Sequence, residues 1–227
     1  MGMVQAVVFD LFETLITEWG HKKYTKREMC ADLGIDREVF DQTWESQEEA
    51  RYLGEITFME SLLFVCEQCG MKGDQALLSR MLEQRVSTKA ACFDYVLPDV
   101  FELLHTLKSK GLRLAIVSNC SAEEVVGMER SRIYPYFDHV ILSYQAKLQK
   151  PDVRIYHEAA RSLGVAPEDC VFVGDGGSHE LQGAREAGMT AIQAKWYTNQ
   201  HPWKRESMPG FLVAEEPLEV LRHLPQP

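Results

Sequence analysis

The 227-residue sequence has no apolar run approaching the ~20 residues that a membrane-crossing helix requires. Its first residues lack the charged-then-apolar order of an export signal, because the apolar "VVF" already reads as a strand. Ala6 stands where a myristoylation site after Gly2 needs Ser or Thr. A cytoplasmic location is therefore expected. Positive charge is also scarce: 24 Lys and Arg face 34 Asp and Glu, a net charge of −10. That balance disfavours nucleic acid and anionic membrane as partners, and an anionic substrate would need a locally basic pocket. The six cysteines (Cys30, Cys66, Cys69, Cys92, Cys120 and Cys170) include one C-x-x-C and no second pair at zinc-ribbon spacing. They read as buried thiols rather than a metal or redox centre. No stretch rich in Gly, Ser or Pro divides the chain, and no internal repeat is visible.

What is present is an alternation. From about residue 95, "PDVFELLHTLKSKG" has helical apolar spacing, "LRLAIVSN" reads as a strand, and "HVILS" as a second short one. "PDVRIYHEAARSLG" (helix), "CVFVGD" (strand), "SHELQGAREAG" (helix), "TAIQA" and "FLVA" (strands) and "PLEVLRHL" follow. Ser121 with Glu124 predicts a capping box opening a further helix. Residues 18–90 differ, with helical periodicity and almost no strand signal: Asp36 heads "DREVFDQTWESQEEARYLG", Thr57 and Glu60 form a capping box, and Asp74 precedes "QALLSRMLEQRV". The pattern predicts an α/β fold, a Rossmann-like doubly wound parallel sheet with helices on both faces. A helical cap is inserted after the first strand. The expected division is residues 1–16 and 91–227 for the core and 17–90 for the cap.

The chemistry-bearing residues fall at or just after predicted strand ends: Asp10 and Thr14, Ser118 and Asn119, Lys150, and Asp175 with Glu180. In an open parallel sheet such ends converge on one crevice. Asp10 can attack and become covalently modified. Thr14 or Ser118 with a backbone amide can hold non-bridging oxygens, and Lys150 can offset developing charge. Asp10 and Asp175, with Glu180 directly or through water, offer hard oxygen ligands for Mg²⁺.

"VVFDLFETL", "AIVSN", "QKPDVRIY" and "VGDGGSHEL" resemble, in order and spacing, the four signature motifs of the haloacid dehalogenase superfamily. The insertion resembles the small α-helical cap of its phosphoglycolate phosphatase and 2-haloacid dehalogenase branches. The resemblance implies Asp10 as nucleophile, Thr14 and Ser118 as holders of the transferring group, and Lys150 as the residue steadying nucleophile and intermediate. It implies Asp175 as the main acidic Mg²⁺ ligand, with the Phe12 carbonyl as another.

Two departures pull apart. Phosphatases of the superfamily usually carry Asp where Phe12 stands, and that Asp protonates the leaving oxygen. The 2-haloacid dehalogenases carry an aromatic there and need no metal. Yet they place Ser and Asn around the position of "GDGG", whereas Asp175 and Glu180 keep the phosphatase acids. Their cap also offers an Arg just after a Trp, where Trp44-Glu45 stands here, and an acid there would repel a haloacid. The reading favoured is an Mg²⁺-dependent phosphatase of a small phosphorylated metabolite. The alternatives are a metal-independent 2-haloacid dehalogenase and a non-catalytic relative that binds a phosphorylated ligand. Glu13, His21 and Lys22 are the candidate replacements for the missing acid, and if none serves, the site is suited to good leaving groups such as acyl phosphates. Residues 195–206, "KWYTNQHPWKRE", are basic and aromatic and read as a surface loop.

Overall fold

A computed structural model describes residues 3–201 and 205–224 of the chain. Strand β1, Ala6–Phe9, is four apolar residues with no solvent exposure, as expected of a strand covered on both faces. It is joined by β2 (Arg113–Ser118), β3 (His139–Leu142), β4 (Cys170–Gly174), β5 (Thr190–Ala194) and β6 (Leu212–Ala214). Among the described residues these make one sheet, in the order β3-β2-β1-β4-β5-β6, with every neighbouring pair parallel.

Because side chains alternate along a strand, each strand feeds two cores. Val7 and Phe9 of β1, with Leu114 and Ile116 of β2, pack into a cluster shared with Val100, Leu103 and Leu107 of α6 (Pro98–Ser109). Ala6, Val8, Ala115 and Val117 face the other way, against Ile155, Tyr156 and Ala159 of α8 (Val153–Leu163) and Leu181 and Ala184 of α9 (Glu180–Glu186). Short α7 (Ser143–Ala146) and α10 (Val220–His223) complete this part. The architecture is Rossmann-like and doubly wound, and its strand order reverses between β1 and β4, where such sheets open a crevice.

Between β1 and α6 lie α1 (Lys26–Leu33), α2 (Arg37–Glu45), α3 (Glu48–Tyr52), α4 (Phe58–Gln68) and α5 (Gln75–Ala91). Thr25, Asp36, Thr57 and Asp74 cap four of them, each accepting a backbone N–H that the helix start leaves unpaired. Their buried faces form a third apolar cluster, including Tyr24, Phe40, Trp44, Phe58, Leu62, Leu78 and Met81.

Two local expectations are corrected. The run headed by Asp36 is not one helix: it breaks after Glu45, and Gln47 starts α3 without a side-chain cap. The Ser121–Glu124 capping box is present, but it opens a 3-10 turn, Ala122–Glu124, rather than an α-helix. The sequence that follows, Val125-Val126-Gly127, is a poor helix former. Gly127 lies so close to α5 that a Cβ there would meet the Ala90 Cα at 2.9 Å. All six cysteines are free thiols.

Candidate active site

Asp10 is the first residue past β1, and its backbone N–H donates to the Val173 carbonyl of β4 at 2.9 Å. Its carboxylate is held on both oxygens. Lys150 Nζ lies 2.5 Å from Oδ1, and the fully buried Thr14 hydroxyl donates to Oδ2 at 3.1 Å. The same ammonium reaches Glu180 Oε2 at 2.5 Å, bridging two acids that would otherwise repel each other. Burial alone would depress the Lys150 ammonium, but Asp10 and Glu180 outweigh it and hold it well above the ordinary lysine value.

The backbone of Lys150 is clamped by Asn119, whose amide nitrogen donates to the Lys150 carbonyl at 2.9 Å and whose carbonyl oxygen accepts the Lys150 N–H at 2.7 Å. Asn119 thus positions Lys150, although it also lines the crevice. Ser118, the last residue of β2, is fully buried, and its Oγ has no hydrogen-bond partner among the described residues. A buried hydroxyl left unpaired costs roughly 1–3 kcal/mol.

The loop after β4 completes the site. Gly176 has φ +94°, and the non-glycine residues Ser178 and His179 also adopt left-handed backbone, at φ 49° and 54°. Such strain collects at functional loops. It lets Gly176 N–H donate to Glu180 Oε1 at 2.9 Å and Gly177 N–H to Asp175 Oδ1 at 2.9 Å. Gly174 must be glycine, because a Cβ there would run into the Glu180 carboxylate. Asp10, Asp175 and Glu180 offer oxygens that all lie within 4.8 Å of one another, and all three residues are buried. Burial first, and then the Asp10 charge, push Asp175 above the usual carboxylate range and Glu180 up to about 8. Three buried acids against Lys150 and Arg205 (Nε 3.2 Å from Asp175 Oδ2) leave an excess of hard negative oxygen. That donor set fits a divalent cation.

Asp10, Asn119, Lys150, Asp175 and Glu180 line a crevice of about 220 Å³, which Phe12, Tyr52, Lys89 and Glu124 also reach, while Thr14 and Ser118 lie behind its lining. The site is therefore buried, cation-bridged and rich in oxygen donors. The Asp10 carboxylate is oriented by one ammonium and one hydroxyl.

The sequence profile of haloacid dehalogenase-like hydrolases matches residues 4–188. This chain belongs to that family. Glyceraldehyde 3-phosphate phosphatase of Methanopyrus kandleri is 28% identical over 232 residues, covering 98% of this chain and 99% of its own. (S)-2-haloacid dehalogenase H-109 of Pseudomonas putida is 29% identical over 197 residues, covering 83% and 84%. The crystal structure of 2-haloacid dehalogenase from Pseudomonas syringae pv. Tomato DC3000 matches with a TM-score of 0.69 at 21% identity, over 97% of each chain, a likeness of fold. This haloacid dehalogenase-like hydrolase thus has relatives of both chemistries, and its own residues must separate them.

Several side chains lie elsewhere than the sequence suggests. Glu45 is exposed and pairs with Lys26 at 2.5 Å, lining neither the crevice nor the cavity beside it, so it repels nothing there. Trp44 is buried against Phe40 and Phe58, and the Arg51 guanidinium, seven residues on, stacks over it at 3.9 Å. His21 stacks on Tyr95 at 3.9 Å, away from the crevice lining. Lys22 is exposed and lines the neighbouring cavity. Glu13, in left-handed backbone, faces the crevice but is tied to Thr17, the Glu18 N–H and His201. Residues 195–206 are not simply a surface loop. Trp196 donates from its indole to the Thr14 carbonyl at 2.8 Å, and the Tyr197 hydroxyl donates to the Leu15 carbonyl at 3.3 Å, bracing the loop after β1. Pro202, Trp203 and Lys204 lie outside the described residues.

Lys89, Tyr52 and Arg205 were not anticipated. Lys89 carried no signal beyond its place near the end of a helical run. Arg205 stood in a segment whose basic, aromatic composition was the available clue.

Proposed function

We propose that this hydrolase cleaves small phosphate monoesters with a divalent cation, through a phosphorylated Asp10. The observation that carries this reading is the buried Asp10–Asp175–Glu180 group, an acid excess without use in a metal-free displacement. Asp10, Asp175 and Glu180, with the Phe12 carbonyl, would hold Mg²⁺. The cation supplies charge stabilisation for the phosphoryl oxygens.

The chain's own residues do the rest. Asp10 attacks phosphorus, the bond to the ester oxygen breaks with its electron pair going to that oxygen, and the leaving alkoxide takes its proton from water. Thr14 and Lys150 fix the carboxylate's orientation, Lys150 balances charge on the phosphoryl group, and Ser118 Oγ donates to one of its oxygens. Asn119 keeps Lys150 in place. Water then attacks phosphorus, releasing phosphate and restoring Asp10. Residues 17–90 act as a cap over the core of residues 1–16 and 91–227, closing the crevice through Tyr52 and Lys89. The Methanopyrus relative named for a triose phosphate supports a small sugar phosphate or related metabolite as substrate, and the crevice volume suits one.

A second reading is 2-haloacid dehalogenation. Phe12 favours it, as does the Arg51 guanidinium on Trp44, which could receive a substrate carboxylate. A screen for phosphate and halide release, with and without chelator, separates the two. Phosphate release abolished by chelation supports the proposal, and halide release surviving chelation replaces it.

A further inference from the structure

The phosphatase reading leaves one gap, since Phe12 offers no group to the departing oxygen. A cation lies beside the Phe12 ring in the same crevice. Lys89, near the end of α5, is 5% exposed, and its ammonium lies 4.6 Å from the centre of the Phe12 ring, within cation–π range. It lines the same crevice as Asp10, while Lys150 already serves the nucleophile.

An ammonium has three N–H donors. The Lys89 ammonium is ion-paired with Glu18 Oε1 at 2.6 Å and Glu124 Oε1 at 2.7 Å. Among the described residues it is ion-paired with no third acid, and the Phe12 ring beside it in the crevice offers no hydrogen-bond acceptor. Glu124 is further held by Arg85 at 2.7 Å, so the ammonium is fixed from behind by a paired network. Such a preset donor is worth more than a mobile one, because it does not reorganise as charge develops.

We propose that Lys89 is a catalytic residue of this site, standing in for the missing acid by charge rather than by proton transfer. This rests on the phosphatase reading. As the P–O bond breaks, its electron pair passes to the ester oxygen, and the growing negative charge faces the Lys89 N–H. The alkoxide then takes its proton from water. Such assistance matters for poor leaving groups and little for good ones. The site is thereby suited to alkyl phosphates, despite Phe12.

The test is a leaving-group series, from p-nitrophenyl phosphate through phenyl phosphate to alkyl phosphates, on wild type, Lys89→Met and Lys89→Arg with Mg²⁺. Lys89→Met should lower kcat for alkyl phosphates about 10²-fold, with KM little changed, as for loss of one charge-stabilising donor. p-Nitrophenyl phosphate should fall less than about threefold, and Lys89→Arg should keep the alkyl-to-aryl ratio within about fivefold of wild type. Because Lys89→Met strips Glu18 of its partner, the double variant Lys89→Met/Glu18→Gln is measured alongside, and it should show the same selective loss while folded. An equal loss across the series, or a change confined to KM, overturns the catalytic role while the phosphatase reading stands. No phosphate release by wild type from any ester overturns both.

Discussion

The crevice at the sheet's strand ends and the helical segment that reaches into it are built on different terms. Around Asp10, backbone register sets direction: Asp10 follows β1, Ser118 ends β2, and Asp175 follows β4, all at the point where strand order reverses. A strand end leaves a side chain little choice of where to point. The helical segment contributes Tyr52 from the end of α3 and Lys89 from near the end of α5. An amphipathic helix can rotate or slide by a turn and still bury an apolar face. Its polar contributions are therefore fixed by pairing: Lys89 with Glu18 and Glu124, Arg85 with Glu124. On the proposed reading, the chemistry belongs to the strand ends and the choice of leaving group to ion pairs that join the two parts.

The strongest way to test that division is Asp10→Asn. An amide is no nucleophile, so turnover should fall by at least ~10³-fold while thermal unfolding stays near wild type. Residual activity above about 1% would place the reacting group elsewhere. Next comes the acid cluster. Asp175→Asn should weaken Mg²⁺ binding by at least about tenfold, measured by calorimetry. Glu180→Gln should do so less, because both Glu180 oxygens are already engaged by Lys150 and the Gly176 N–H. Equal effects would give Glu180 a direct share in the cation.

The joint between the two parts should respond in stability. Burial opposes the charge on Glu124, but Lys89 and Arg85 win and hold it at about 2, against an ordinary value of 4.5. Glu124→Gln leaves buried Lys89 and half-buried Arg85 short of their shared acid and should cost about 3 kcal/mol at neutral pH. The sign of its pH dependence follows. Between pH 4.5 and about 2 the unfolded chain binds the Glu124 proton and the folded chain does not, so this contribution is intact above 4.5 and fades toward 2. Denaturant unfolding of the variant and wild type should converge over that window. A constant gap would show that Glu124 does not supply it. The smallest effect belongs to the helical segment alone: Asp74→Ala removes the cap of α5 and should cost ~1 kcal/mol, with kcat unchanged.

The same contrast explains what could be read in advance. That Asp10, Ser118 and Asp175 meet at the sheet's strand ends was legible from strand patterns in the sequence, whereas Lys150 follows the short α7 and Glu180 opens α9. The helix starts at Thr25, Asp36, Thr57 and Asp74 follow from local hydrogen bonding, and three of these were visible as caps or helix heads. Lys89 was not, since nothing local separates a buried lysine over an aromatic ring from a solvated one. Glu124 was visible as a capping residue and performs that role, accepting the Ser121 N–H at 3.1 Å. Its pairing with Lys89 and Arg85 depends on how α5 meets the core, which no spacing encodes. Glu45 misled for a related reason, because adjacency to Trp44 on a helix puts the two side chains on different faces.

The central claim, a cation-dependent attack of Asp10 on phosphorus, is tested most directly by trapping. Wild-type protein with Mg²⁺ and a ³²P-labelled phosphate monoester, quenched in acid, should carry label that Asp10→Asn and chelated protein do not. Label retained by Asp10→Asn, or phosphate released at full rate after chelation, would contradict the account.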